Sequence, residues 1–162
     1  MNKDQQIEKV KPTPIPVTVV AGFLGAGKTT LVNHILHGDH GLRIAVVVND
    51  FGSINIDAEL ITDVGDGMVS LANGCICCVI RSDLISAVLK LADRPERPDH
   101  IVIESSGVAD PASVVRAFME PEIRSSVLLD GVITLVDAEQ ALALPDEAMN
   151  LARAQVTGGD LI

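Results

Sequence analysis

Three cysteines, the whole thiol content of the chain, stand within the segment NGCICC at residues 73–78. Thiolates in a short loop form a soft site suited to Zn²⁺, Co²⁺ or Cu(I), and three of them leave the fourth tetrahedral position open for transfer. Two other interpretations compete: a disulfide, which cannot pair three thiols, and a buried core. The turn-forming Asn73-Gly74 pair favours an exposed metal site made by Cys75, Cys77 and Cys78.

A second chemistry-bearing segment, GFLGAGKTT at residues 22–30, fits the pattern G-x-x-x-x-G-K-[ST]. Its glycines, Gly22 and Gly27, allow the backbone to curl so that N–H groups face an anion, and the following helix directs its positive end at the same place. Lys28 is expected to neutralise the β- and γ-phosphates, and the Thr29 hydroxyl to bind Mg²⁺. The rest of the expected phosphate cradle is Gly25, Ala26 and Thr30.

Acidic residues follow two of the apolar runs. IVIESSG, residues 101–107, places Glu104 at a strand end, where it can hold Mg²⁺ or orient the attacking water, and Gly107 three residues later, where its N–H can reach the γ-phosphate. NDFGSINID, residues 49–57, carries Asp50 and Asp57 as further candidates for metal or water contacts. Ordinary loop and strand-end roles compete with each of these assignments. Lys28, Glu104 and Asp50 are the predicted catalytic residues.

The elements that must position these residues alternate along the chain. Apolar runs typical of buried strands occupy residues 16–21, 43–49, 68–71, 100–104 and 131–137, and helical stretches occupy 28–36, 81–92, 112–119 and 146–155. A loop is expected at residues 50–57. This alternation predicts the α/β fold of a P-loop NTPase: a mainly parallel sheet with helices on both faces, a three-layer sandwich that binds ligands at the carboxyl ends of its strands.

Composition excludes several classes of protein. The 162 residues suit one domain, 48% of them are hydrophobic and only 2% aromatic, and the formal net charge is -10. Such a charge repels phosphate at long range, so we expect no nucleic-acid partner. No signal peptide or membrane-spanning run is evident, and a cytoplasmic location is expected. We divide the chain into a polar tail, residues 1–15, and a P-loop domain, residues 16–162, whose final turn and strand start predict a domain incomplete at its C-terminus.

Taken together, GFLGAGKTT, NDFG, GCICC and the stretch ESSGVADP at residues 104–111 resemble the CobW-like GTPases, relatives of the nickel-insertion proteins HypB and UreG. The resemblance implies binding of GTP or GDP with Mg²⁺, a Zn²⁺ or Co²⁺ ion on the cysteines, and hydrolysis coupled to delivery of that ion. The client would be an apo-metalloprotein or a cofactor-synthesis enzyme, and a homodimer is left open. The chain departs from the family twice: the family usually has Glu at the position of Asp50, and the guanine-reading N-K-x-D motif is absent.

Two other functions remain open: an ATP-using kinase or ATPase with a structural metal loop, and a non-catalytic metal-binding module. His34, His37 and His40 invite a metal interpretation, but histidines at a helix C-terminus also interact well with its dipole, and we expect that role. Asp137, at the end of a strand, receives no role from the sequence.

Overall fold

The computed structural model describes residues 13–49, 68–71 and 79–162, and within them a five-stranded sheet has every neighbouring pair of strands parallel. The strands are β1 (Ile15–Gly22), β2 (Ile44–Asn49), β3 (Met68–Leu71), β4 (His100–Ser105) and β5 (Val127–Leu135). Their order in the sheet is β3-β2-β4-β1-β5. The apolar side chains of the three central strands, β2, β4 and β1, are buried by the layers around them, as expected for a parallel sheet.

Helices cover both faces of this sheet. Alternate residues of β1 and β4 enter two separate apolar clusters, because successive side chains of a strand point to opposite faces. The larger cluster packs α2 (Val79–Ala92) and α3 (Pro111–Phe118) on one face, and the smaller packs α1 (Lys28–Leu36) on the other. A short helix α4 (Pro121–Arg124), a 3₁₀ turn (Ala141–Ala143) and α5 (Asp146–Thr157) complete the described part. The predicted three-layer architecture is confirmed.

One strand boundary differs clearly from its prediction. The sequence predicted a strand over residues 131–137, whereas β5 spans Val127–Leu135. The strand begins earlier because Val127 is fully buried and lies opposite Ile15. Asp130 is the extra residue where the register shifts, and this charged residue beside a glycine obscured the start of the run. The helix α4 and the 3₁₀ turn were not predicted.

The carboxyl ends of the central strands bring the candidate residues to one edge of the sheet. Val20 of β1 lies opposite Glu104 of β4, so the segments that follow these strands are neighbours. Beyond β5, Leu161 forms a parallel bridge with Ile133, which supports the predicted start of a further strand near the last residues. The predicted loop at residues 50–57 and the three cysteines lie outside the described residues, and the division into tail and domain stays a prediction.

Candidate nucleotide and metal-ion site

The loop between β1 and α1 has the backbone of a phosphate cradle. Gly22, Gly25 and Gly27 have φ values of 138°, 77° and 91°, a region that glycine enters at no steric cost. A Cβ on Gly22 would also collide with the carbonyl oxygen of Leu135, so both the backbone conformation and the lack of space exclude a side chain at this position. Gly27 is the N-cap of α1, which therefore begins at Lys28 and directs its amide end into the loop.

Lys28 is folded back into this loop and does not extend into solvent. Only 7% of the residue is exposed, and its Nζ donates a hydrogen bond to the carbonyl oxygen of Phe23 at 3.0 Å. The opposite side of the turn is closed by the amide of Ala26, which donates to the same carbonyl at 3.2 Å. The ammonium is thus fixed where a bound phosphate chain would meet the loop backbone.

Thr29 and Glu104 meet directly beneath the loop. The Thr29 hydroxyl donates to Oε1 of Glu104 at 2.6 Å, which joins the first turn of α1 to the carboxyl end of β4. Glu104 is only 2% exposed, and a hydrogen bond to a carboxylate in such a place is among the stronger kinds. A hydroxyl and a carboxylate are the hard oxygen donors that Mg²⁺ prefers, so the residues present fit this ion.

The turn after β4 packs against the P-loop through Gly107. A Cβ at this position would lie 2.7 Å from Cδ2, 2.8 Å from N and 2.9 Å from Cα of Leu24, distances that a side chain does not tolerate. Ala109 donates its N–H to Ser106 O at 3.0 Å and closes the turn. Asp110 then caps α3 by accepting the amide of Ala112 at 2.9 Å. The predicted γ-phosphate turn therefore lies in direct contact with the predicted phosphate loop.

Sequence reasoning missed Gln155 of α5. Its side chain is 1% exposed and donates to Gly107 O at 3.1 Å and to Ala109 O at 3.0 Å. The sequence pattern that could have identified it is its helical spacing, seven residues after Ala148 and three after Ala152, which places Gln155 on the same, inward-facing side of α5 as these two alanines. Because an amide among apolar positions normally needs hydrogen-bond partners, that position could have been marked as a buried contact.

The residues with open roles are capping groups. Asp137 accepts the amides of Glu139 at 2.9 Å and Gln140 at 3.0 Å, so it shapes the turn that follows β5. His37 contacts the carbonyl of Asn33 at 2.7 Å and His40 that of Ile35 at 2.8 Å, which matches the expected role at the end of α1.

Asp50, Asp57 and the three cysteines lie outside the residues that the structure describes, so their predicted roles stay predictions. Among the described residues, no group of three His, Cys, Asp or Glu side chains is placed to hold a metal ion. In the same residues, no helix has the length and apolar character needed to cross a membrane.

The loop, the helix end and the Thr29–Glu104 pair on a parallel sheet define a P-loop nucleotide-binding fold. The family model of the CobW/HypB/UreG nucleotide-binding domain matches residues 16–162, and the chain belongs to this family. The predicted resemblance is confirmed.

Individual relatives agree with this assignment. The chain is 45% identical to the zinc chaperone YjiA of Escherichia coli strain K12 over 157 residues, which cover 92% of the chain and 48% of that protein. It is 44% identical to the zinc chaperone CobW of a Sinorhizobium species over 135 residues, 80% of the chain and 38% of that protein. The crystal structure of the Zn(II)-bound YjiA GTPase from E. coli superimposes with a TM-score of 0.63 and 36% identity, over 92% of the chain and 48% of that structure. The chain thus spans half or less of the length of these relatives.

Proposed function

We propose that the protein binds and hydrolyses GTP and that its nucleotide state controls the binding and delivery of a transition metal. The observation that carries the nucleotide half is the hydrogen bond between Thr29 and the buried Glu104, since it joins the helix that follows the P-loop to the strand that precedes the γ-phosphate turn. A glycine-rich turn with no ligand would not require these two groups to meet beneath it. The relatives named as GTPases and zinc chaperones support the same proposal.

Each polar residue of the site has a proposed task in this reaction. Lys28 and the amino end of α1 neutralise the β- and γ-phosphates, and the Gly107 N–H binds the γ-phosphate. Thr29, Glu104 and Asp50 are the residues that would hold Mg²⁺, which supplies charge neutralisation of the leaving phosphates. Glu104 or Asp50 orients the attacking water. Asp57 acts through a water, and the rest of the cradle consists of Gly22, Gly25, Ala26, Gly27 and Thr30.

Cys75, Cys77 and Cys78 are the proposed ligands of the delivered ion. Zinc is favoured over cobalt because the two relatives described above are both named zinc chaperones. Three thiolates leave a coordination position for a ligand of the client, an apo-metalloprotein or a cofactor-synthesis enzyme, and this suits release. The cytoplasm, where thiols stay reduced, is the proposed location, and a homodimer remains a prediction.

The nucleotide half is tested by replacing Lys28 with alanine. Fluorescent GTP-analogue binding and phosphate release should both be lost, while the variant still unfolds cooperatively in urea and keeps its fold. Lys90→Ala is the matched control, because Lys90 is an exposed lysine on α2. Unchanged GTP affinity in the Lys28 variant would remove the assignment of the phosphate site.

The metal half is tested by titration with Zn²⁺ and Co²⁺ under reducing conditions. One tightly bound ion per chain is expected, with a thiolate charge-transfer band for cobalt. The variant with all three cysteines replaced by serine should lose this band and the tight binding. Equal zinc affinity of that variant would mean that the ion binds elsewhere, without affecting the nucleotide assignment.

A further inference from the structure

The side-chain amide of Gln155 donates both of its N–H groups to one turn. They reach the carbonyls of Gly107 and Ala109, which lie 48 and 46 residues earlier in the chain, at 3.1 and 3.0 Å. All three residues are buried, and both carbonyls are acceptors that need a donor away from water. A long-range contact therefore replaces the local backbone bonds that would normally satisfy such a turn.

The backbone that carries Gln155 is itself fixed to the sheet. The Thr134 hydroxyl of β5 donates to the carbonyl of Gln155 at 3.0 Å in a buried bond. A Cβ on Gly159 would lie 2.6 Å from Oγ1 of Thr134, so the chain after α5 also lies close against this strand. The amide of Gln155 is consequently presented to the turn from a rigid support, β5, which is also the direct neighbour of β1 in the sheet.

The turn that Gln155 holds is the one that abuts the phosphate loop, because Gly107 contacts the backbone of Leu24. We propose that Gln155 is a positioning residue that sets the distance of the Gly107 backbone from the P-loop and thereby determines the preference of the site for a triphosphate over a diphosphate. This proposal rests on the nucleotide-binding function proposed above. A diphosphate has no third phosphate at this turn, so its binding does not depend on the position of Gly107.

The experiment compares Gln155→Met with the control Val88→Ala. Methionine has a similar length and no donor, so it removes both bonds to the turn, whereas alanine at the buried position 88 of α2 lowers stability and changes neither Gln155 nor its support on β5. Affinities for GDP and for a non-hydrolysable GTP analogue are measured with fluorescent nucleotides, together with kcat and KM for GTP. Loss of two hydrogen bonds to the turn is expected to weaken the GTP analogue about tenfold and to lower kcat.

GDP affinity in Gln155→Met should remain within about twofold, because GDP has no third phosphate to contact the Gly107 turn. Val88→Ala should lower the urea midpoint and leave the ratio of the two affinities unchanged. Gln155→Leu, which is shorter and uncharged, is the second variant if the methionine protein does not fold. Amide hydrogen exchange at Ala109 should accelerate more in the Gln155 variants than in Val88→Ala.

An equal loss of both nucleotides would show that Gln155 acts on stability alone and would overturn the proposal. Unchanged analogue affinity with unchanged exchange at Ala109 would overturn it as well. Absence of guanine-nucleotide binding in the original protein is a different outcome, because it overturns the proposed function together with the inference that depends on it.

Discussion

Replacing Gly107 with alanine should push the turn after β4 away from the P-loop. The new Cβ would lie 2.7 to 2.9 Å from three atoms of Leu24, two of which belong to the backbone. Carbon atoms in contact are normally about 3.5 Å apart or more, so the two segments must separate by about 0.6 Å or more. Overpacking of this size costs about 1–3 kcal/mol in the free energy of unfolding.

Urea unfolding and nucleotide titration together test this expectation. Gly107→Ala should lower the unfolding midpoint and weaken a non-hydrolysable GTP analogue more than GDP, because the displaced amide belongs to the turn proposed to bind the γ-phosphate. Gly131→Ala is the matched control. Its Cβ would meet nothing closer than the Asp160 carboxylate at 3.5 Å, so the substitution should be neutral or stabilise by about 0.4–1 kcal/mol.

A second substitution separates the side-chain clash from the backbone clash. Leu24→Ala removes the side-chain atom at 2.7 Å but leaves the two backbone atoms at 2.8 and 2.9 Å, so the double variant with Gly107→Ala should recover little stability. Full recovery would show that the backbone does not limit the approach. Gly107→Ala with unchanged stability and unchanged affinities would refute the packing argument entirely.

Four further outcomes are expected. Thr29→Val should lose the hydrogen bond to Glu104 and with it about 1–3 kcal/mol in the free energy of unfolding. Nucleotide binding by this variant should no longer depend on Mg²⁺, whereas Thr29→Ser should keep the bond, the stability and the Mg²⁺ dependence. Equal Mg²⁺ dependence in both variants would contradict this expectation. Asp110→Ala should remove the cap of α3 and cost about 1 kcal/mol in urea unfolding, and an unchanged midpoint would show that the cap is dispensable. Hydrogen bonding to the Arg43 side chain lowers the pKa of the exposed Asp99. The contribution of this pair to the free energy of unfolding should therefore be fully present at neutral pH and be lost as the pH drops below about 4. Asp99→Asn should reduce this pH dependence of the free energy of unfolding, as measured by unfolding curves on either side of this pH. Because N-K-x-D is absent from residues 1–162, competitive calorimetry should give similar, weak affinities for GTP and ATP, and a marked GTP preference would place base recognition elsewhere in these residues.

The sequence predicted the elements well where local signals were strong. The predicted helix over residues 28–36 matches α1 at both ends, because the P-loop glycines determine its start and a histidine and Gly38 follow its end. The strands at residues 68–71 and 100–104 also agree with β3 and β4 within one residue. Long apolar runs and glycine turns are local properties, so one sequence is enough to recognise them.

Contacts between distant segments could not be read in the same way. No local sequence pattern around residue 107 predicts its contact with Leu24. Likewise, none around Gln155 predicts that its amide binds a turn 46 to 48 residues earlier. The early start of β5 was hidden for the same reason, since the pairing of Val127 with Ile15 overrides the polar break at Asp130. These features belong to tertiary packing, which selects among locally acceptable conformations.

The two hydrogen bonds at the centre of the site are compatible with the ligands proposed for it. An ammonium has three N–H donors, so binding of a phosphate oxygen does not require Lys28 to break its bond to the carbonyl of Phe23. The Thr29 hydroxyl likewise donates its only hydrogen to Glu104 while its oxygen lone pairs can serve a cation. Little rearrangement is then needed when a nucleotide binds. Because Lys28 and Thr29 are already ordered by these hydrogen bonds, binding does not lose the entropy of ordering their side chains. The loop and the helix end are therefore preorganised for the phosphates and the cation proposed to bind there.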